Sequence, residues 1–218
     1  SSTFLPHVSS YRASLMLGTC IAILAVDFRI FPRGFAKTEA FGYSPMDIGV
    51  GSFIFSSAIV SDVAKNVVRK QEHLLRSLVP LLLLGGVRLF FVKQADYQSH
   101  TSEYGVHWNF YFTLAFLSLS VGLLFRTVVR RSPHRALILG GALLGVYQSI
   151  LLPSSLWNPL GMNLTNYIMR APRLNLFSAN REGFISLVGY TSLYLFGVFY
   201  GSLLWSRKGT RRRLAVSV

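Results

Sequence analysis

Charge is what this sequence has least of. Of its 218 residues only 14% are Asp, Glu, Lys or Arg, and just 8 are acidic. A soluble domain carries about 25% charged residues, so this chain cannot clothe a surface turned wholly to water. Cysteine is almost missing as well. The single Cys20 excludes an intrachain disulfide, and its apolar setting reads as a small buried residue rather than a nucleophile. No set of Cys, His and carboxylate side chains has zinc-ligand spacing, and no Gly-x-Ser-x-Gly elbow is present. Tandem repeats, low-complexity runs and soluble-domain boundaries are absent. So are an initiator methionine and a charged-then-apolar leader. The chain therefore reads as a piece of a longer protein.

What is abundant is apolar sequence: 51% of residues are hydrophobic, gathered in blocks rather than stripes. Such blocks are the signature of membrane spans, each needing about 20 apolar residues. The formal net charge of +14 raises nucleic acid as a partner. Its distribution argues against one, because the basic residues sit in short clusters between long apolar runs. Residues 104–125 and 183–206 contain no Asp, Glu, Lys or Arg, and neither do residues 136–169, where Pro153 and Pro159 end a helix near Leu152. Three further runs are interrupted or bracketed by Asp27, by Asp47 and Asp62, and by Arg88 with Pro80.

These observations predict an all-α, polytopic transmembrane helix bundle forming one membrane-embedded domain over residues 1–218. Its six spans fall near 13–31, 47–62, 77–92, 106–125, 136–153 and 184–205. A broken or re-entrant segment is expected near residues 27–46. Alternate connections carry 14 Lys and Arg on one side and 7 on the other, and the denser side should face the cytosol. The tail from Arg207 to Arg213 reads as a cytosolic anchor beside anionic lipid. The lone sequon, at Asn163, falls on the opposite, luminal side. Trp108, Trp157 and Trp205 lie near span ends, as interfacial aromatics do.

Ionisable groups at membrane depth are costly and mark candidate sites. Asp27 closes an apolar run, and Lys37 follows ten residues later. In one straight helix that separation is about 15 Å, but Pro32 and Gly34 intervene and allow the chain to fold back. An ordinary interfacial Asp with an Arg29 or Lys37 partner is the competing reading. Gly49 and Gly51 lack the side chains that hold a neighbouring helix or an acyl chain at a distance. Arg88 has a guanidinium suited to a lipid phosphate, unless it simply snorkels outward. His107 and Asn109, with Glu103 nearby, open a clean span. Asn180, Arg181 and Glu182 stand at the start of the last one, where capping by Asn180 and a favourable place for Glu182 are sufficient reasons by themselves. All four polar clusters lie on the expected luminal side.

Three blocks carry a resemblance to a known family: LAVDFRIFPRGFAKTEAFGYSPMDIGVGSF (24–53), DYQSHTSEYGVHWNFYFTLA (96–115) and SANREGFISLVGYTSLYLFG (178–197). In that order they resemble the glycosylphosphatidylinositol (GPI) inositol acyltransferases. The resemblance implies a polytopic protein of the endoplasmic reticulum membrane. It would transfer a fatty acyl group from acyl-CoA to the inositol of glucosaminyl-phosphatidylinositol, with no metal or resident cofactor. Family members are longer, so further helices of a parent chain are implied as partners. Asp27 and Lys37 fall on the family's proposed catalytic pair. Arg88, His107, Asn109, Asn180, Arg181 and Glu182 are candidates for holding the phosphate, sugar or inositol. Alternatives are another membrane acyltransferase acting on a sugar hydroxyl or amine, or a lipid or ion transporter.

Overall fold

The computed structural model describes residues 5–38, 43–66, 71–94, 104–127, 132–151 and 164–216. Among them there is no strand. The helices are α1 (Pro6–Ala25), α2 (Ile48–Ile59), α3 (Gln71–Gln94), α4 (Phe110–Thr127), α5 (Pro133–Leu151), α6 (Leu164–Arg170), α7 (Leu176–Ala179) and α8 (Arg181–Val216). Two 3₁₀ turns, Arg33–Phe35 and Pro45–Asp47, interrupt the connection between α1 and α2. The all-helical expectation is borne out. Glu103, Trp157 and Asn163 lie outside the described residues.

Local chemistry sets the helix ends. Pro6 begins α1, where the missing N–H costs nothing. That helix stops at Ala25, short of the residue 31 expected, because the chain closes into turns from Phe28 to Ala25 and from Phe31 to Phe28. Arg33 Nη1 then donates to the Val26 carbonyl at 2.9 Å, placing a cation on the negative end of α1. Because α1 begins at Pro6 and not near residue 13, Arg12 sits inside it. Cys20 also departs from expectation, since it is exposed. Asn109 starts α4 by accepting the Tyr111 and Phe112 N–H groups at 3.0 and 3.2 Å, which explains a helix beginning at Phe110 rather than near residue 106.

The packing is organised around α8, with α2 and α5 lying along it. Small residues permit the close approach. A Cβ on Gly197 would come within 2.6 Å of Ala58 Cβ, and one on Gly201 within 2.5 Å of the Ile59 carbonyl. Gly140 of α5 meets Leu195 and Phe196 in the same way. The buried centre consists of Ala58, Ala64, Val121, Ala136, Leu195 and Val198. A second cluster joins Leu5, just before α1, and Val8 of α1 to Ile59, and Trp205 Nε1 donates to the Ile59 carbonyl at 3.0 Å. On α3, Gly85 lies against the Phe112 ring of α4.

These contacts sort the helix ends into two groups. The start of α1, the end of α2 and the Leu204–Trp205 part of α8 share one end of the packed core. The starts of α4 and α8 share the other, joined by the 4.5 Å ring contact of Trp108 with Phe184. Phe53, midway along α2, meets Phe110 at the start of α4 with ring centres 6.5 Å apart. Among the described residues α1 and the Arg181–Ser206 part of α8 are long and apolar enough to cross a membrane, and shorter apolar helices cover Pro45–Ile59 and Phe110–Gly122. Leu17, Ile21 and Leu24 of α1 and Leu83, Phe90 and Phe91 of α3 are largely exposed. Faces this apolar need hydrocarbon or further helices over them.

Candidate functional site

The densest polar construction stands where α8 begins. Asn180, Arg181 and Glu182 are 3%, 2% and 8% exposed, yet none is left unsatisfied. Asn180 Oδ1 accepts the backbone N–H of His107 at 2.7 Å and of Trp108 at 2.9 Å, while its Nδ2 donates to the Leu176 carbonyl at 2.8 Å. Its side chain thus staples a distant segment to α8 rather than capping the helix. Arg181 donates to the carbonyls of Ile168 (2.9 Å) and Ala171 (2.7 Å) and covers the Tyr167 ring at 5.3 Å. Glu182 receives a two-pronged bond from Arg173 at 2.6 and 3.0 Å. These bonds give the three residues a framework role in the described structure.

What they frame is the segment Tyr104–Asn109. Gly105 has φ +94°, and a Cβ there would sit 2.6 Å from the Ala179 carbonyl oxygen. Only glycine fits this approach, which lets the Val106 N–H donate to that same oxygen at 2.9 Å. Trp108 lies over Gly183, contacts Phe184, and donates Nε1–H to Thr113 Oγ1 at 2.9 Å. It is a packed residue of the site rather than a free interfacial anchor. Asn109 is buried, and beyond starting α4 it donates to the Gly85 carbonyl at 3.0 Å, tying α4 to α3. His107 is half-buried, held by its backbone.

Lys37 joins this segment from far away in sequence. Its Nζ lies 5.9 Å from the centre of the Tyr104 ring, a cation–π placement. Thr38, the residue after Lys37, is tied to Ser44 through Asp47. The Asp47 carboxylate accepts from Thr38 Oγ1 at 2.8 Å, from Thr38 N–H at 3.4 Å and from Ser44 N–H at 2.8 Å. Burial pushes the Asp47 carboxyl up, but these bonds outweigh it and hold the group below the usual carboxylate value. Asp27 is exposed just past α1, and among the described residues it forms no hydrogen bond with Lys37. The fold-back of Lys37 brings it onto the Tyr104 ring.

The other candidates separate. Arg88 is exposed on α3. A Cβ on Gly51 would come within 3.3 Å of Leu193, as close helix packing requires, whereas one on Gly49 would find nothing within 4 Å. Sequence reasoning missed Arg173, Tyr104, Thr38 and the stapling role of Asp47. A carboxylate three residues after Ser44 was a detectable turn signal for the last, but nothing local announces Arg173.

The geometry brings together parts of all three blocks that carry the resemblance, and comparison with known proteins agrees. A family model described as GWT1 matches residues 1–217. This chain belongs to the GWT1 family. It is 44% identical to GPI-anchored wall transfer protein 1 of Yarrowia lipolytica over 209 residues, covering 94% of the chain and 41% of that protein. Against the Saccharomyces cerevisiae protein of the same name the identity is 42% over 219 residues, covering 96% and 43%. The phosphatidylinositol-glycan biosynthesis class W protein of Dictyostelium discoideum is 38% identical over 242 residues, covering 91% and 46%. The chain thus spans less than half the length of these curated relatives.

Proposed function

We propose that this chain is the central part of a multi-pass membrane acyltransferase of GPI-anchor synthesis in the endoplasmic reticulum. In this reading it moves a fatty acyl group from acyl-CoA to an inositol hydroxyl of glucosaminyl-phosphatidylinositol, within the bilayer and with the remaining helices of its parent chain. Six spans, three of them interrupted, belong to the same proposal. Family membership and the relatives' names support the pathway. The observation that carries the site is Lys37 resting against Tyr104, in a segment locked to the start of α8.

The chemistry fits the residues at that end. An inositol O–H is a poor nucleophile at neutral pH, so a base must take its proton as the oxygen attacks the thioester carbonyl. Asp27, exposed at the end of α1, is the proposed base. The new C–O bond forms as the carbonyl oxygen gains charge, which a neighbouring ammonium stabilises. Lys37 takes that part. Collapse breaks the C–S bond, and the thiolate leaves with the proton as CoA-SH. A thioester is reactive enough that no metal is needed. Arg88 and His107 remain the proposed contacts for phosphate and sugar, since neither side chain is built into the framework.

The test uses the full-length parent expressed in cells lacking inositol acyltransferase. Microsomes are assayed for acyl-CoA-dependent acylation of glucosaminyl-phosphatidylinositol. Asp27→Asn and Lys37→Met should each lose at least about a hundred-fold in rate at matched expression. Near-normal rates in both would remove the pair, and an inactive parent would remove the reaction.

A further inference from the structure

Glu182, the second residue of α8, lies beside two arginines. Arg181 Nε is 3.5 Å from its Oε1, and Arg173 Nη2 is 2.6 Å from the same atom. Charge balance alone needs only one of them. Arg173 differs in what else it holds, for its Nη1 also donates to the Ala179 carbonyl at 2.9 Å. That oxygen in turn accepts the Val106 N–H at 2.9 Å and is the atom against which Gly105 is pressed. One planar guanidinium therefore fixes both the first turn of α8 and the carbonyl on which the 104–109 segment hangs. Arg181 cannot substitute, being committed to Ile168 and Ala171.

We infer that Arg173 is a positioning residue for acyl transfer. It sets the register of the Tyr104–Trp108 segment, and with it the place of Lys37 on the Tyr104 ring and of His107 two residues past Gly105. This rests on the acyl-transfer reading above. Three bonds from one rigid fork demand arginine; a lysine has a point charge and no fixed plane. With Arg181 still beside Glu182, the carboxylate keeps a cation when Arg173 is changed. The loss should then appear in geometry more than in folding, and a displacement of about 1 Å at a reacting group costs on the order of a hundred-fold in rate.

The experiment compares Arg173→Lys and Arg173→Gln in the full-length parent, in the same microsomal assay. Both should retain folded protein and KM values for acyl-CoA and glycolipid within about two-fold, with kcat lowered about ten- to a hundred-fold. Lysine should not rescue. Unchanged kcat per folded protein would overturn the inference. So would a rise confined to the glycolipid KM, which would make Arg173 a phosphate contact instead. A second readout does not depend on activity: His107→Cys, in a parent whose other cysteines are replaced by serine, labelled with a membrane-impermeant maleimide. Arg173→Lys should raise the labelling rate several-fold, and an unchanged rate would refute the register argument. An inactive wild-type parent with a raised labelling rate would sink the acyl-transfer reading and leave the geometry standing.

Discussion

The side-chain oxygen of Asn180 lies 2.7 Å from the backbone N–H of His107, seventy-three positions away in the chain. One buried amide thereby decides where the segment before α4 meets the start of α8. Removing it in Asn180→Ala leaves two N–H groups without their acceptor, at about 1–3 kcal/mol for each that stays buried. Thermal unfolding of the detergent-purified parent should fall accordingly. Asn180→Asp retains the acceptor but sets a second carboxyl oxygen against the Leu176 carbonyl in a buried place, so its melting point should fall below that of wild type as well.

Gly105 and Gly49 should respond oppositely to the same small change. Gly105→Ala combines a left-handed backbone with a Cβ 2.6 Å from a carbonyl oxygen, and should cost about 2–4 kcal/mol. Gly49→Ala meets open space in this structure and should stay within about 0.5 kcal/mol. A Gly49→Ala variant that folds normally yet raises the KM for acyl-CoA would mark an acyl chain passing there. Fluorescence-detected thermal melts and initial rates distinguish these outcomes.

At the α2–α8 crossing, Gly197→Ala and Gly201→Ala each force a methyl into Ala58 or the Ile59 carbonyl. Each should destabilise by about 1–3 kcal/mol. The double variant should cost less than the sum, because both open the same interface. Additive losses in chemical denaturation would show that the two crossing points yield independently.

Asp47 predicts a pH dependence with a definite sign. Its folded carboxyl lies below the unfolded value of 3.8 because the bonds from Thr38 and Ser44 outweigh its burial. The stabilisation is complete above that unfolded value and is lost as pH falls through the lowered folded one. Melting points measured at about pH 6 and about pH 3 should therefore differ more for wild type than for Asp47→Asn. Equal slopes would show that the staple contributes nothing to stability.

The helices were largely legible in the sequence, because an apolar block and a proline are local signals. Pro6 was not used to start α1, and Arg33 closing its end was invisible, since a side chain folding back seven residues leaves no periodic trace. In the site, the polar residues singled out in the sequence are recognisable, but their partners are not. Asn180, Arg181 and Glu182 drew attention as polar residues at a span end, and burial with full satisfaction turns them into framework. Lys37 was legible as a folded-back cation, but its partner Tyr104 looks like any aromatic. Arg173 sat unremarked in a loop because its importance depends on Ala179 and Glu182 converging on it.

Helix α8 runs without a break from Arg181 to Val216, 36 residues, or about 54 Å at the standard rise. Its first turn is held by the loops that carry His107 and Arg173, and its far half is held to α2 through Trp205. A rod secured at its first turn and again at Trp205 cannot tilt at one of these points while staying still at the other. Any opening of the protein would have to occur through the elements around it, with this stretch of α8 as the fixed pillar.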